Sequence, residues 1–121
     1  MRILLTFFLL LSTLLSVAQT RLTIVEFNTE NLFDTRHDSL KDDHEFLPYS
    51  PRHWTRTKYW QKLNRIGQAI IACGEDSSGW SLPDIVGLCE VENDSVLFDL
   101  TRRSLLHKAR YEYVMTSSND A

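Results

Sequence analysis

Residues 83–94 read PDIVGLCEVEND, and residues 21–34 read RLTIVEFNTENLFD. These two stretches decide the fold. The first opens on Pro83 and then runs almost without charge until Glu90. It is predicted as a strand from about Asp84 to Val91. A nearly continuous apolar run predicts burial on both faces, as in an inner strand of a layered sheet. In the second stretch, Leu22, Ile24, Val25 and Phe27 give a β-rich run, a strand over 21–28. Leu22, Ile24 and Glu26 fall on one face, and Thr23, Val25 and Phe27 on the other. Each strand closes on a polar residue, Asn28 in one case and Glu90 in the other.

Between them the period changes. Tyr59, Leu63, Ile66, Ile70 and Cys73 recur at three- and four-residue steps, which predicts a helix from about Thr55 to Cys73 with Gly74 as its C-terminal cap. Lys58, Lys62 and Arg65 lie towards its other side. With Arg52, His53, Arg56 and the aromatic residues Trp54, Tyr59 and Trp60 they form a basic stretch. That stretch is read as a solvated helix face in preference to a phosphate contact surface. Residues 29–53 hold Asp34, Asp38, Asp42, Asp43 and Glu45 and two prolines, and keep no period; a long loop is expected. Its acidic residues lack the spacing of a helix-loop-helix calcium site and are read as solvated.

Residues 75–82 are turn material. Asn93 and Asp94 can cap a second helix over 95–103, burying Val96, Leu97 and Leu100. YEYVM, residues 111–115, is predicted as a third strand. The order strand, loop, helix, strand, helix, strand is an α/β layered sheet with flanking helices.

In such sheets ligands gather beyond the carboxyl ends of the strands. If the two strands run side by side and parallel, Asn28 and Glu90 meet there. A carboxylate beside an amide suits a hard cation such as Mg2+, which activates water or neutralises a phosphate. Glu92 and Asn93 are secondary candidates.

Phe27-Asn28 followed by Asn31-Leu32, and Pro83-Asp84-Ile85-Val86 leading to Glu90-Val91, resemble the first two motifs of the endonuclease/exonuclease/phosphatase superfamily, the deoxyribonuclease-I-like fold. Asp42-Asp43 through Phe46, Pro48 and Trp54, then Tyr59 and Lys62-Leu63, looks like its secreted bacterial members. The resemblance implies an N-terminal part of a two-sheet α/β sandwich, covering residues 19–121. It implies a metal-dependent phosphoester hydrolase, nuclease-like and acting on phosphodiesters such as nucleic acid. Glu90 would hold Mg2+ or Mn2+, and Asn28 would hold the phosphate and share in the metal site; both would be catalytic. Alternatives are a phosphomonoesterase or a sphingomyelinase-like member, or a binding protein that keeps the fold without chemistry. Two features depart from the family. Cys89 stands where many members carry Gln. The Asp-x-Asn and Ser-Asp-His motifs do not occur in these 121 residues, so a truncated domain with little turnover of its own is expected.

Composition narrows the field further. The chain has 13 Lys+Arg against 16 Asp+Glu, a net charge of -3, with 43% hydrophobic residues. That excludes a collagen, a disordered charged tail and a general polyanion-binding module, which needs a basic surplus. The only charge before residue 19 is Arg2. It precedes the apolar run ILLTFFLLLSTLLSV, and Ser16-Val17-Ala18 supplies small residues for cleavage. Residues 1–18 therefore read as a signal peptide and the destination as secreted or periplasmic. The run is short of the roughly 20 residues that span a bilayer, so no stable membrane anchor is expected. Cys73 and Cys89 would stand too far apart for a disulfide and are read as two buried apolar thiols.

Overall fold

The computed structural model describes residues 21–77 and 79–116. The expected signal peptide, residues 1–18, lies outside the described residues, as do residues 117–121.

Strand β1 (Ile24–Leu32) pairs in parallel with β4 (Ile85–Val91). The register runs from Ile24 opposite Ile85 to Asn28 opposite Cys89. Between them in sequence lies helix α1 (Arg56–Ala72), whose length serves the crossover that a parallel pair requires. Thr55 caps α1, its hydroxyl accepting the Lys58 N–H. Tyr59, Leu63, Ile66 and Ile70 are buried, as their spacing predicts. They form the core with Leu32, Val96, Leu100 and Leu106, and Phe27, Val86 and Leu88 pack against it from one face of the sheet.

The other face differs from expectation. Leu22, Ile24 and Ile85 are more than half exposed. β4 is thus half-buried on one side and open on the other among the described residues, because α1 covers a single face. For the same reason Cys89 is exposed. Cys73 is exposed at the end of α1, and the expectation of two buried thiols is corrected; both are free.

Cys73 itself caps α1 at its C-terminus, and Gly74 follows it. A β-carbon at position 74 would lie 1.9 Å from the Ser81 carbonyl oxygen, so close approach of backbone demands glycine there. In the expected turn region, two short strands, β2 (Glu75–Asp76) and β3 (Gly79–Trp80), pair antiparallel. Helix α2 (Asp94–Phe98) is capped by Asn93, continues as a wider turn over Asp99–Arg103, and buries Val96, Leu97 and Leu100. A further short helix, Leu105–Ala109, closes on Arg110 in a left-handed conformation. No strand forms at 111–115. Tyr111 donates its hydroxyl to the Pro83 carbonyl at 2.6 Å, but Val114 is fully exposed and the segment has no ladder partner among the described residues. A β-rich composition makes a strand only where a neighbouring edge receives it.

The architecture is α/β: a small parallel sheet with flanking helices.

Candidate functional site

At the carboxyl ends of β1 and β4 the ladder breaks. Asn28 faces Cys89 and Leu32 faces Val91, so residues 29–31 of β1 stand against Glu90 alone. This is a bulge with two extra residues on β1, and it re-aims the side chains around it. The backbone carries the cost. Glu30, Asn31 and Glu90 have φ of 53°, 61° and 59°. Non-glycine residues seldom adopt that left-handed region, at about 1–3 kcal/mol each, and three of them side by side at one strand end mark a place where the surrounding structure imposes strain.

Hydrogen bonds hold the strained arrangement. The Asn28 side-chain N–H donates to Glu90 Oε1 at 2.9 Å, and the Asn31 backbone N–H donates to Oε2 at 3.0 Å. The Glu30 N–H donates to Asn28 Oδ1 at 2.7 Å. Because a backbone N–H can only donate, that bond fixes which end of the Asn28 amide faces Glu90. The Thr29 hydroxyl reaches the carbonyls of Cys89 and Glu90 at 2.8 and 2.9 Å. Asn28 and Glu90 therefore meet at the tips of adjacent parallel strands.

Lys62 ties α1 to the bulge. Its Nζ donates to the carbonyls of Glu30 at 2.5 Å and Asn31 at 3.0 Å, and lies 5.6 Å from the centre of the Trp54 ring. Desolvation lowers its pKa, against the charges of Glu30 and Glu90. Lys62 is thus no solvated helix charge. With Lys58, Arg65 and Trp54 it lines a cleft of about 620 Å³ that opens beside Asn28 and Glu30. The i, i+4 spacing of Lys58 and Lys62 was the available signal. What the sequence does not display is the carbonyl pair that the bulge turns towards them.

Glu92 behaves unlike a strand-end carboxylate. It is buried, its Oε2 accepts the Asp34 N–H at 2.7 Å, and its Oε1 has no partner. Burial pushes its pKa up to about 7, helped by the charges of Asp34 and Asp43 and opposed by the Asp34 N–H and by Lys41. Asn93 meets Asp34 across 3.5 Å and otherwise serves as the α2 cap. The acidic loop is also less solvated than expected. Asp43 is only 1% exposed and accepts from the Asp38 N–H and from His37, each at 2.6 Å. Burial works to raise its pKa, but these two partners together hold it below the usual carboxylate range.

The donor set at Glu90 suits a hard divalent ion. Each carboxylate oxygen has one N–H donor and keeps a second acceptor position, and Glu90 is exposed. Mg2+ binds through one or two carboxylates and fills its remaining positions with water and phosphate oxygens, so a single carboxylate is sufficient protein contribution.

No curated protein and no solved structure matches the chain. Among the described residues, no helix is long and apolar enough to cross a membrane. The family model described as endonuclease/exonuclease/phosphatase family matches residues 23–121, a span that includes both strands and the bulge between them. Members of that family act on phosphoesters in nuclease-like or phosphatase reactions and typically need a divalent metal, and this chain belongs to the endonuclease/exonuclease/phosphatase family.

Proposed function

We propose that the chain serves metal-dependent hydrolysis of phosphodiesters, with nucleic acid as a substrate, and that Asn28 and Glu90 are its functional residues. The observation that carries this reading is the 2.9 Å contact between them at the strand tips, beside a cleft lined by Lys58, Lys62 and Arg65. In this reading Glu90 binds Mg2+ or Mn2+, and the ion supplies charge neutralisation at phosphate and a more acidic bound water. Asn28 fixes the Glu90 carboxylate and stands next to the phosphate. The cleft cations attract the anionic backbone and hold it over the strand tips. Export to the periplasm or beyond is part of the proposal and is supported by the apolar run before Ser16-Val17-Ala18.

The test is binding of Mn2+ and of a short single-stranded oligonucleotide in Mg2+. Glu90→Gln is expected to weaken Mn2+ binding at least about tenfold. Lys62→Met is expected to weaken the oligonucleotide and reduce the salt dependence of its binding. A folded Glu90→Gln variant that binds Mn2+ as the wild type does would overturn the reading.

A further inference from the structure

The long loop before α1 brings together a second set of ligand atoms. His37, Asp43 and His44 each offer one, and the three lie within 4.8 Å of one another. The imidazoles of His37 and His44 are stacked, with centroids 4.8 Å apart. His37 Nδ1 lies 2.6 Å from Asp43 Oδ1. The three side chains differ in freedom. Asp43 is buried and pinned through its other oxygen by the Asp38 N–H, whereas both histidines are exposed. A fixed carboxylate faces two imidazoles that can turn about their own side-chain bonds.

We propose that this loop binds a transition-metal ion of the zinc class through His37, Asp43 and His44, at a site separate from Glu90. Two imidazoles and a carboxylate are borderline ligands that suit Zn2+ or Co2+ better than Mg2+. Metal–ligand distances of about 2.0–2.2 Å in a tetrahedron set neighbouring ligand atoms roughly 3.3 Å apart. The 2.6 Å His37–Asp43 contact opens, the wider separation closes, and the imidazole changes tautomer through solvent, its proton passing from Nδ1 to Nε2 so that Nδ1 is free to bind the ion. Water takes the fourth position. The site shares no residue with the Glu90 cradle and draws on different chemistry, since Glu90 and Asn28 offer only oxygen ligands. The ion would clasp Asp43 to His37 and His44 of the same loop.

The experiment is Co2+ titration of the full chain, read by visible absorption, with Zn2+ as competitor. A d–d band that Zn2+ abolishes is expected. The double variant His37→Ala/His44→Ala is expected to weaken Co2+ binding at least about tenfold, and Glu90→Gln to leave the band in place. No band from the folded wild type, or a band that survives the double variant, overturns the proposal and leaves the His37–Asp43 pair as a loop clamp only. Should the double variant fail to fold, proton NMR of the wild type decides instead. Zn2+ must shift the imidazole signals of His37 and His44; shifts confined to His53 and His107 refute the site.

Discussion

Replacing Glu90 by glycine should leave a more stable protein than replacing it by alanine. Both substitutions remove the carboxylate and its bonds to Asn28 and Asn31, so their difference isolates the backbone. Position 90 has φ of 59°. An L-residue costs about 1–2 kcal/mol in that region, and glycine does not. Glycine also gains about 0.4–1 kcal/mol of freedom in the unfolded chain, which offsets part of the advantage. The net preference for glycine is about 0.5–1 kcal/mol. Cys89, one residue earlier, is exposed and has an ordinary φ. There alanine should win over glycine by roughly 0.5–1 kcal/mol, the usual order inside a strand. Urea denaturation of the four variants, compared at constant slope, reads this as opposite midpoint shifts of about 0.5 M. If Glu90→Ala proves at least as stable as Glu90→Gly, or if both positions show the same order, the left-handed conformation at Glu90 is not a feature of the folded chain.

Two further outcomes follow from the groups around the bulge. Glu92 prefers its protonated form in the fold, so its contribution is complete below about pH 4.5 and is lost as pH rises through about 7. In buffer containing a chelator, the wild type should lose about 1–3 kcal/mol across that window. Glu92→Gln should remove this part of the slope, and an unchanged slope in thermal melts would refute the assignment. Lys62→Met removes the bonds to the Glu30 and Asn31 carbonyls and should cost about 1–2 kcal/mol while speeding exchange of the Asn31 amide. A loss under 0.5 kcal/mol with unchanged exchange would show that the bulge holds itself.

The parts of this fold that could be read in advance are those set by local period. α1 declares itself through Tyr59, Leu63, Ile66 and Ile70, and β4 through its apolar run. Asn93 declares the start of α2. β1 was legible only as far as Asn28, because the strand resumes at Leu32 after a bulge whose residues, Thr29, Glu30 and Asn31, carry no strand alternation. The error at 111–115 and the expectation of two-sided burial for β4 share one cause. Composition reports what a segment could pack against, and only the fold decides what is there. The acidic loop hid Asp43 in the same way. A run of carboxylates reads as solvated until an amide and an imidazole are brought to one of them.

The Glu90 cradle is assembled almost wholly from residues distant in sequence. Asn28 to Glu90 spans 62 positions, and Lys62 reaches back 31 and 32 positions to the bulge carbonyls. Such contacts form only after loop-closure entropy has been overcome, and the β1–β4 pairing must therefore precede them or form with them. The strained backbone at Glu30, Asn31 and Glu90 is then imposed by an already closed sheet, with Thr29 and Lys62 satisfying the carbonyls that the bulge exposes. Removing Thr29 or Lys62 frees the Glu90 carboxylate and leaves those carbonyls without their donors, so it costs stability and the cradle together. The cradle's geometry and the chain's stability are opposed only where the backbone is strained: glycine at Glu30 or Asn31 should relieve the left-handed φ while loosening the arrangement of donors that presents Glu90 to a cation.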